Sequence, residues 1–199
     1  MRLIDDVYFY PERGFLDCNT YIVGDAIIDP GSPAYLSDKI KEIEQDKIDA
    51  HSIKYVINTH LHPDHSGGND DFAEEFDAKV AVYEGVKQYY SHYDIVLDKS
   101  ITLNDIMIDI LHTPGHSPES ISLYIPGLKI LLCGDLVFKQ GVGRVDLIGG
   151  NAEKLKESIN NVSTLDIEHL LPGHGPIIKG SDNVKKNFSY IIRSYFWIL

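Results

Sequence analysis

Cysteine, basic residues and long apolar runs are all scarce in this sequence, and each scarcity argues against a class of protein. Cys18 and Cys133 are the only cysteines, and they are too far apart in sequence to suggest a disulfide framework or a thiolate metal site. We expect both to be buried as small apolar residues. The 18 Lys and Arg against 30 Asp and Glu give a net charge of -12, which disfavours a broad nucleic-acid or anionic-membrane surface.

Membrane insertion and export are also disfavoured by the sequence. No apolar stretch reaches the roughly 18 residues that a membrane span requires, and acidic residues stand in MRLIDDVYFY where a signal peptide would continue apolar. We therefore expect a cytoplasmic protein that acts on a small molecule and binds neither membrane nor nucleic acid. The sequence leaves its oligomeric state open.

The distribution of strands and helices predicts an α/β fold in a single domain, residues 1–199. With 43% hydrophobic residues and no Gly-, Ser- or Pro-rich linker, the 199 residues can bury a sizeable core. Short apolar strands alternate with amphipathic helices in two similar halves. Two mixed sheets flanked by helices on their outer faces would form a four-layer αββα sandwich. The main helices are predicted over 34–48, 69–76, 152–162 and 183–196. A further helix is predicted from residue 84 to about 92, a strand over 121–125 and a loop over 135–150.

Four ligand-type side chains lie within six positions after the predicted strand KYVINT. His60 and His62 are one residue apart on extended chain, so both imidazoles point the same way and can bind one ion. Pro63 then turns the chain, which lets Asp64 and His65 face a second position. This short loop can therefore supply ligands to two adjacent metal ions.

Three further ligand-type residues follow other predicted strands: His116 in HTPGH, Asp135 after KILLCG, and His174 in PGHG. Open sheets commonly place their ligands just beyond strand ends, so this shared position favours one site. Imidazole and carboxylate ligands are compatible with zinc, iron or manganese. We expect two divalent metal ions and favour zinc.

The chain resembles the metallo-β-lactamase superfamily in five segments that occur in family order, namely NTYIVGDAIIDPG, THLHPDHSGG, TPGHSPES, LLCGDLVF and LLPGHGP. The resemblance implies that His60, His62 and His116 bind the first metal. It assigns Asp64, His65 and His174 to the second metal and implies that the Asp135 carboxylate bridges both. It further implies a hydrolase that attacks its substrate with a hydroxide held between the two metals, with Asp64 orienting the hydroxide's proton.

The segment GVGRVD after Asp135 resembles the corresponding loop of glyoxalase II and its short relatives. That resemblance implies that Arg144 contacts a carboxylate of the substrate, and that the substrate is a thioester or a related ester. An aromatic residue of that loop is replaced by Asp146, and the extra C-terminal helical region of glyoxalase II has no counterpart after the last predicted helix. Because of these departures, the resemblance does not extend to specificity for glutathione, and a structural ion pair between Arg144 and Asp146 is the alternative for that arginine.

A persulfide dioxygenase is the second hypothesis, since these related enzymes resemble the chain in the same loop. Such an enzyme uses one iron, which His60, His116 and Asp135 would bind. It would consume oxygen, whereas the hydrolase would bind two metals and require no oxygen. A nuclease is disfavoured by the acidic charge. A non-enzymatic binding module is disfavoured because all seven ligands of the resemblance are present.

Overall fold

The computed structural model describes residues 1–86 and 90–199, and they divide into two compact units. The first unit comprises Met1–Asp98 and Thr102–Ile106, and the second comprises Lys99–Ile101 and Met107–Leu199. Each unit contains a mixed β-sheet and helices. That both units belong to one domain of residues 1–199 stays a prediction.

The sheet of the first unit has seven strands, in the order of the chain. The first four are antiparallel neighbours, and the last four run parallel to one another. They are β1 (Arg2–Ile4), β2 (Val7–Tyr10), β3 (Thr20–Val23), β4 (Ala26–Ile28), β5 (Tyr55–Ile57), β6 (Lys79–Tyr83) and β7 (Ile95–Leu97). The parallel register places the carboxyl ends of β4, β5 and β6 at one edge of this sheet.

Three α-helices belong to the first unit: α1 (Pro33–Gln45), α2 (Pro63–Ser66) and α3 (Asn69–Phe76). Helix α1 begins after Ser32, whose hydroxyl accepts a hydrogen bond from the Ala34 amide and satisfies one of its unpaired donors. Its buried apolar residues recur at helical spacing and join Phe72 and Phe76 of α3 in one apolar core. The core therefore fixes both helices on the sheet whose strand ends lead into α2. The helix predicted to start near Glu84 falls partly on residues 87–89, which lie outside the described residues.

The second sheet consists almost entirely of residues of the second unit. Its six strands are β8 (Ser100–Leu103), β9 (Ile106–His112), β10 (Ile121–Ile125), β11 (Ile130–Gly134), β14 (His169–Pro172) and β15 (Ile178–Lys179). Their order across the sheet is β15-β14-β11-β10-β9-β8. A separate hairpin, β12 (Val137–Phe138) with β13 (Gly141–Val142), lies inside the segment 135–150 that the sequence predicted to be a loop. Its strands have two residues each and carry no strand periodicity that could have revealed them.

Helices α4 (Ala152–Ser163) and α5 (Ser181–Tyr195) complete the second unit. The Asn151 side chain caps α4 by accepting a hydrogen bond from the Lys154 amide. Leu155, Ile159 and Val162 pack with residues of α5 and of the sheet in one buried cluster. None of the helices in the described part of the chain is long and apolar enough to cross a membrane.

Candidate metal centre

The loop between β5 and α3 gathers four ligand-type side chains of the first unit. The imidazole centroid of His60 lies 4.7 Å from that of His62 and 4.1 Å from that of His65. Nε2 of His65 is 3.9 Å from Oδ2 of Asp64. His60 and His65 are buried, while His62 and Asp64 are half-buried. The four residues that the sequence singled out on this loop therefore form one cluster.

A buried carboxylate and a hydroxyl orient two imidazoles of this cluster. Oδ2 of Asp29 lies 2.9 Å from Nδ1 of His65 and accepts a 2.6 Å hydrogen bond from the Thr59 hydroxyl. The Thr59 amide donates to Oδ1 of Asp29 at 2.8 Å, and Oγ1 of Thr59 lies 3.2 Å from Nδ1 of His60. Because these contacts hold Nδ1 of each ring, Nε2 is the nitrogen that His60 and His65 would present to a metal.

Asp29, which contacts His65 and Thr59, is a candidate positioning residue that the sequence pattern did not single out. It directly follows β4, which is the parallel neighbour of β5, so both strands deliver polar residues to the same sheet edge. Its φ of 51° lies in the left-handed region, which aspartate tolerates better than most residues. An acidic residue right after an apolar strand, in AIIDPG, was the signal available in the sequence.

The second unit brings together the three other predicted ligands. Oδ2 of Asp135 lies 3.5 Å from Nε2 of His116 and 3.5 Å from Nε2 of His174. Asp135 follows β11 directly, and His174 follows β14, the parallel neighbour of β11. His116 lies on the loop between β9 and β10. One carboxylate oxygen thus stands between two imidazole nitrogens, an arrangement that suits a carboxylate bridging two cations.

The backbone of the GVGRVD segment fixes His116. Nδ1 of His116 lies 2.8 Å from the carbonyl oxygen of Arg144, so the ring turns Nε2 toward Asp135. The close packing of this backbone against His116 and Asp135 requires a glycine at position 143. A Cβ there would stand 1.8 Å from the carbonyl oxygen of Asp135 and 3.2 Å from Cβ of His116. The glycine therefore lets one stretch of backbone contact two candidate ligands.

The Arg144 side chain forms an ion pair instead of extending freely into solvent. Its Nε and Nη2 donate to the two carboxylate oxygens of Asp146 at 2.9 Å and 2.8 Å. This pairing holds the pKa of Asp146 below its ordinary value. Both side chains are about two-thirds exposed, at 67% and 68%, so a carboxylate from solution can still reach the guanidinium. The structural pair considered for Arg144 in the sequence is therefore present, and its contact with substrate stays a prediction.

Both cysteines are buried, as the sequence predicted. Burial raises the pKa of each thiol, in the case of Cys133 to about 12. Neither thiol is therefore a nucleophile at neutral pH.

The histidines outside the predicted ligand set have other contacts. His112 lies 2.8 Å from the carbonyl oxygen of Pro118 through Nε2, which ties together the two ends of the loop that carries His116. His92 is exposed and lies 3.4 Å from Asp70, and His51 packs edge-to-face on Phe76. His112 therefore supports the loop that carries His116.

The candidate donors of each unit are suited to bind metal. They consist of imidazole nitrogens and carboxylate oxygens, with protein groups holding the second nitrogen of His60, His65 and His116. Histidines whose second ring nitrogen is held by a protein group are typical of metal ligation. The donor types suit zinc, iron or manganese.

Comparison with known proteins identifies the family. The sequence profile of the metallo-β-lactamase superfamily matches residues 13–174. The probable metallo-hydrolase YqgX of Bacillus subtilis is 32% identical over 61% of this chain and 68% of its own length. The probable hydroxyacylglutathione hydrolase glo2 of Schizosaccharomyces pombe is 32% identical over 75% of this chain, but the match spans only 58% of that protein.

The fold is shared with solved structures of the same family. The crystal structure of the BLEG-1 B3 metallo-β-lactamase superposes with a TM-score of 0.79, at 24% identity, over 96% of this chain and 99% of that one. The chain belongs to the metallo-β-lactamase superfamily. The predicted fold class, two mixed sheets flanked by helices as in that family, is thereby confirmed.

Proposed function

We propose that this chain is a binuclear metal-dependent hydrolase that cleaves a thioester or a related ester. The observation that carries the proposal is the position of Asp135, whose Oδ2 lies 3.5 Å from Nε2 of both His116 and His174. A carboxylate placed between two imidazoles is suited to neutralise two cations at once. Relatives named hydroxyacylglutathione hydrolase, about 30% identical, support the choice of a thioester.

The proposed ligand assignment follows the family resemblance. His60, His62 and His116 would hold one metal, Asp64, His65 and His174 the other, and Asp135 both. When bound, two such cations make hydroxide available near neutral pH and polarise the scissile carbonyl. Zinc is the metal we favour.

Residues of this chain would orient the metal ligands, accept a proton and bind the substrate. Asp29 and Thr59 hold the rings of His65 and His60, and the Arg144 carbonyl holds that of His116. Asp64 is half-buried, at 23% side-chain exposure, so its carboxylate can both ligate and accept a proton from the attacking water. Arg144 would bind a carboxylate of the substrate away from the scissile bond.

The test is a hydrolysis assay on S-lactoylglutathione and a small panel of other thioesters, run with an oxygen electrode. We expect thioester cleavage without oxygen uptake, abolished in His116→Ala. His92→Ala is the matched control, because His92 is exposed and its polar contact among the described residues is with Asp70, at 3.4 Å. Oxygen consumption with a persulfide substrate, and no hydrolysis of any thioester, would instead establish the dioxygenase and overturn the proposal.

A further inference from the structure

A surface cavity of about 370 Å³ in the second unit collects positive charge in an otherwise acidic protein. It lies between the turn of the β12–β13 hairpin, strand β15 and helix α5. Lys139, Lys179 and Lys186 each come from a different one of these three elements. Among the described residues that line the cavity, none is acidic, although the whole chain carries a net charge of -12.

The three lysines have no internal counter-ion in the part of the chain that the structure describes. No ion pair joins Lys139, Lys179 or Lys186 to a carboxylate of the described residues. Three ammonium groups around one cavity repel one another unless an anion enters. Their arrangement therefore favours a multiply charged anionic ligand.

Polar side chains hold in place the walls of this cavity, which we call the lysine pocket after Lys139, Lys179 and Lys186. The Asn187 side chain accepts a 2.8 Å hydrogen bond from the Gln140 amide and donates a 3.0 Å bond to the Phe138 carbonyl, which clamps the hairpin turn to α5. The Tyr195 hydroxyl donates to the Gln140 carbonyl at 2.8 Å. Asn183 donates to the Lys179 carbonyl at 2.9 Å and joins α5 to β15. The pocket is therefore formed before any ligand binds, which reduces the entropic cost of binding.

The pocket also offers an apolar surface beside its charges. Asn183, Lys186, Asn187 and Tyr190 follow one another at helical spacing, so they line the pocket from a single face of α5. Tyr190 is 37% exposed, and Ile177 lies in the same lining. An aromatic ring next to lysines suits a ligand that combines phosphate groups with a planar ring.

We propose that the lysine pocket binds an organic phosphate of the nucleotide type, with its phosphates on Lys139, Lys179 and Lys186 and its ring against Tyr190. Lysine is a suitable phosphate ligand because its ammonium is a compact point charge with three donors. One ring contact joins the hairpin beside the pocket to a candidate metal ligand of the same unit. Phe138, which precedes the hairpin turn, packs its ring edge-to-face on His174, with centroids 5.9 Å apart.

Isothermal calorimetry with ADP and with pyrophosphate, on the metal-containing protein at physiological salt, tests the proposal without any need for turnover. We expect one ADP to bind per chain. Lys139→Ala and Lys186→Ala should each weaken ADP and pyrophosphate about ten- to a hundredfold, the loss typical of a charge-assisted hydrogen bond. Tyr190→Ala should weaken ADP about five- to a hundredfold but spare pyrophosphate, which has no ring to stack.

Lys185→Ala is the matched control, because Lys185 is an exposed neighbour on α5 that does not line the pocket. It should bind ADP as the wild type does. Absence of ADP binding at millimolar concentration would overturn the proposal. An equal loss of ADP affinity in Lys185→Ala would also overturn it, because binding would then depend on the general positive charge of this surface and not on the pocket. So would ADP binding that none of the lysine variants weakens, because the phosphates would then be bound by the metals.

Two sources of the phosphate can be distinguished once binding is established. If the ligand is the nucleotide part of an acyl-coenzyme A substrate, Lys186→Ala raises KM for acetyl-coenzyme A but not for S-lactoylglutathione, and ADP competes with the former. If it is a free nucleotide, ADP binds equally well when the thioester is saturating. This second step rests on the proposed thioester hydrolysis, whereas the calorimetric result stands even if that hydrolysis is not found.

Discussion

The Nδ1 atom of His116 contacts the carbonyl oxygen of Arg144 at a distance of 2.8 Å. Arg144 therefore supports a candidate metal ligand through its backbone, while its guanidinium pairs with Asp146. Since a change of side chain leaves the carbonyl in place, the two roles of this residue can be separated by mutation.

Arg144→Ala is expected to leave the metal content unchanged. Loss of its exposed ion pair should leave the free energy of unfolding nearly unchanged, because water and salt screen the attraction between exposed charges. On a carboxylate-bearing thioester we expect KM to rise about tenfold, near the lower end of the cost of a charge-assisted hydrogen bond, because Asp146 already competes for the guanidinium. A neutral thioester of similar size should be hydrolysed as by the wild type. An equal loss on both substrates would show that Arg144 has only a structural role.

Gly143→Ala is expected to damage the metal centre, because the new Cβ would stand 1.8 Å from the Asp135 carbonyl oxygen. Moving that backbone displaces Asp135 and the carbonyl that holds His116. Metal affinity, measured by competition with a chelator, should fall by at least about tenfold, as for the loss of an outer contact to a ligand. Gly141→Ala is the control, since its Cβ would come no closer than 3.7 Å to Phe138. Similar metal affinities in the two variants would refute this role of Gly143.

Asp29→Asn tests the orientation of His65. Asparagine tolerates the φ of 51° at this position, but its amide cannot accept from the Thr59 hydroxyl, the Thr59 amide and His65 at the same time. We expect metal affinity to fall about ten- to a hundredfold. Asp25→Asn is the control in the same unit, because Asp25 is also buried but pairs with Lys54. If Asp25→Asn lost as much metal, the effect would arise from general destabilisation and not from His65.

Lys39→Met is expected to destabilise the first unit strongly. Lys39 and Asp17 are fully buried and 2.7 Å apart, and the Lys39 ammonium also donates to the Cys18 carbonyl and the Thr20 hydroxyl. Removing the lysine leaves a buried carboxylate without its cation, which costs about 3 to 5 kcal/mol. Urea unfolding measures this loss. Lys41→Met, which removes an exposed pair with Asp38, should stay within about 0.5 kcal/mol of the wild type. A comparable change in both variants would contradict the importance of burial here.

Residue patterns predicted the regular elements and the candidate ligands more readily than the contacts that hold the ligands. The helix predicted over 69–76 and the strand over 121–125 have the same bounds in the structure, because apolar spacing and turn residues mark their ends. The strands β1, β7, β8 and β15 were not predicted, since a few residues at a sheet edge show no clear alternation.

The contacts that orient the candidate ligands could not be predicted from the sequence, for a different reason. Asp29 and His65 are 36 residues apart, and His116 and Arg144 are 28 apart. The second contact uses a backbone carbonyl, which every residue possesses, so no residue type could have indicated it. The lysine pocket likewise depends on three elements whose proximity only the fold provides.

The most direct test of the account is the metal content of the purified protein and of Asp135→Ala, measured by elemental analysis together with protein concentration. We predict two divalent metal ions per chain in the wild type. Asp135→Ala should lose most of this metal and all hydrolysis, because it removes the carboxylate that stands between His116 and His174. Asp166→Ala, which removes an exposed carboxylate of the same unit, should keep both ions. A single iron per chain in the wild type, or both metals retained in Asp135→Ala, would contradict the binuclear hydrolase.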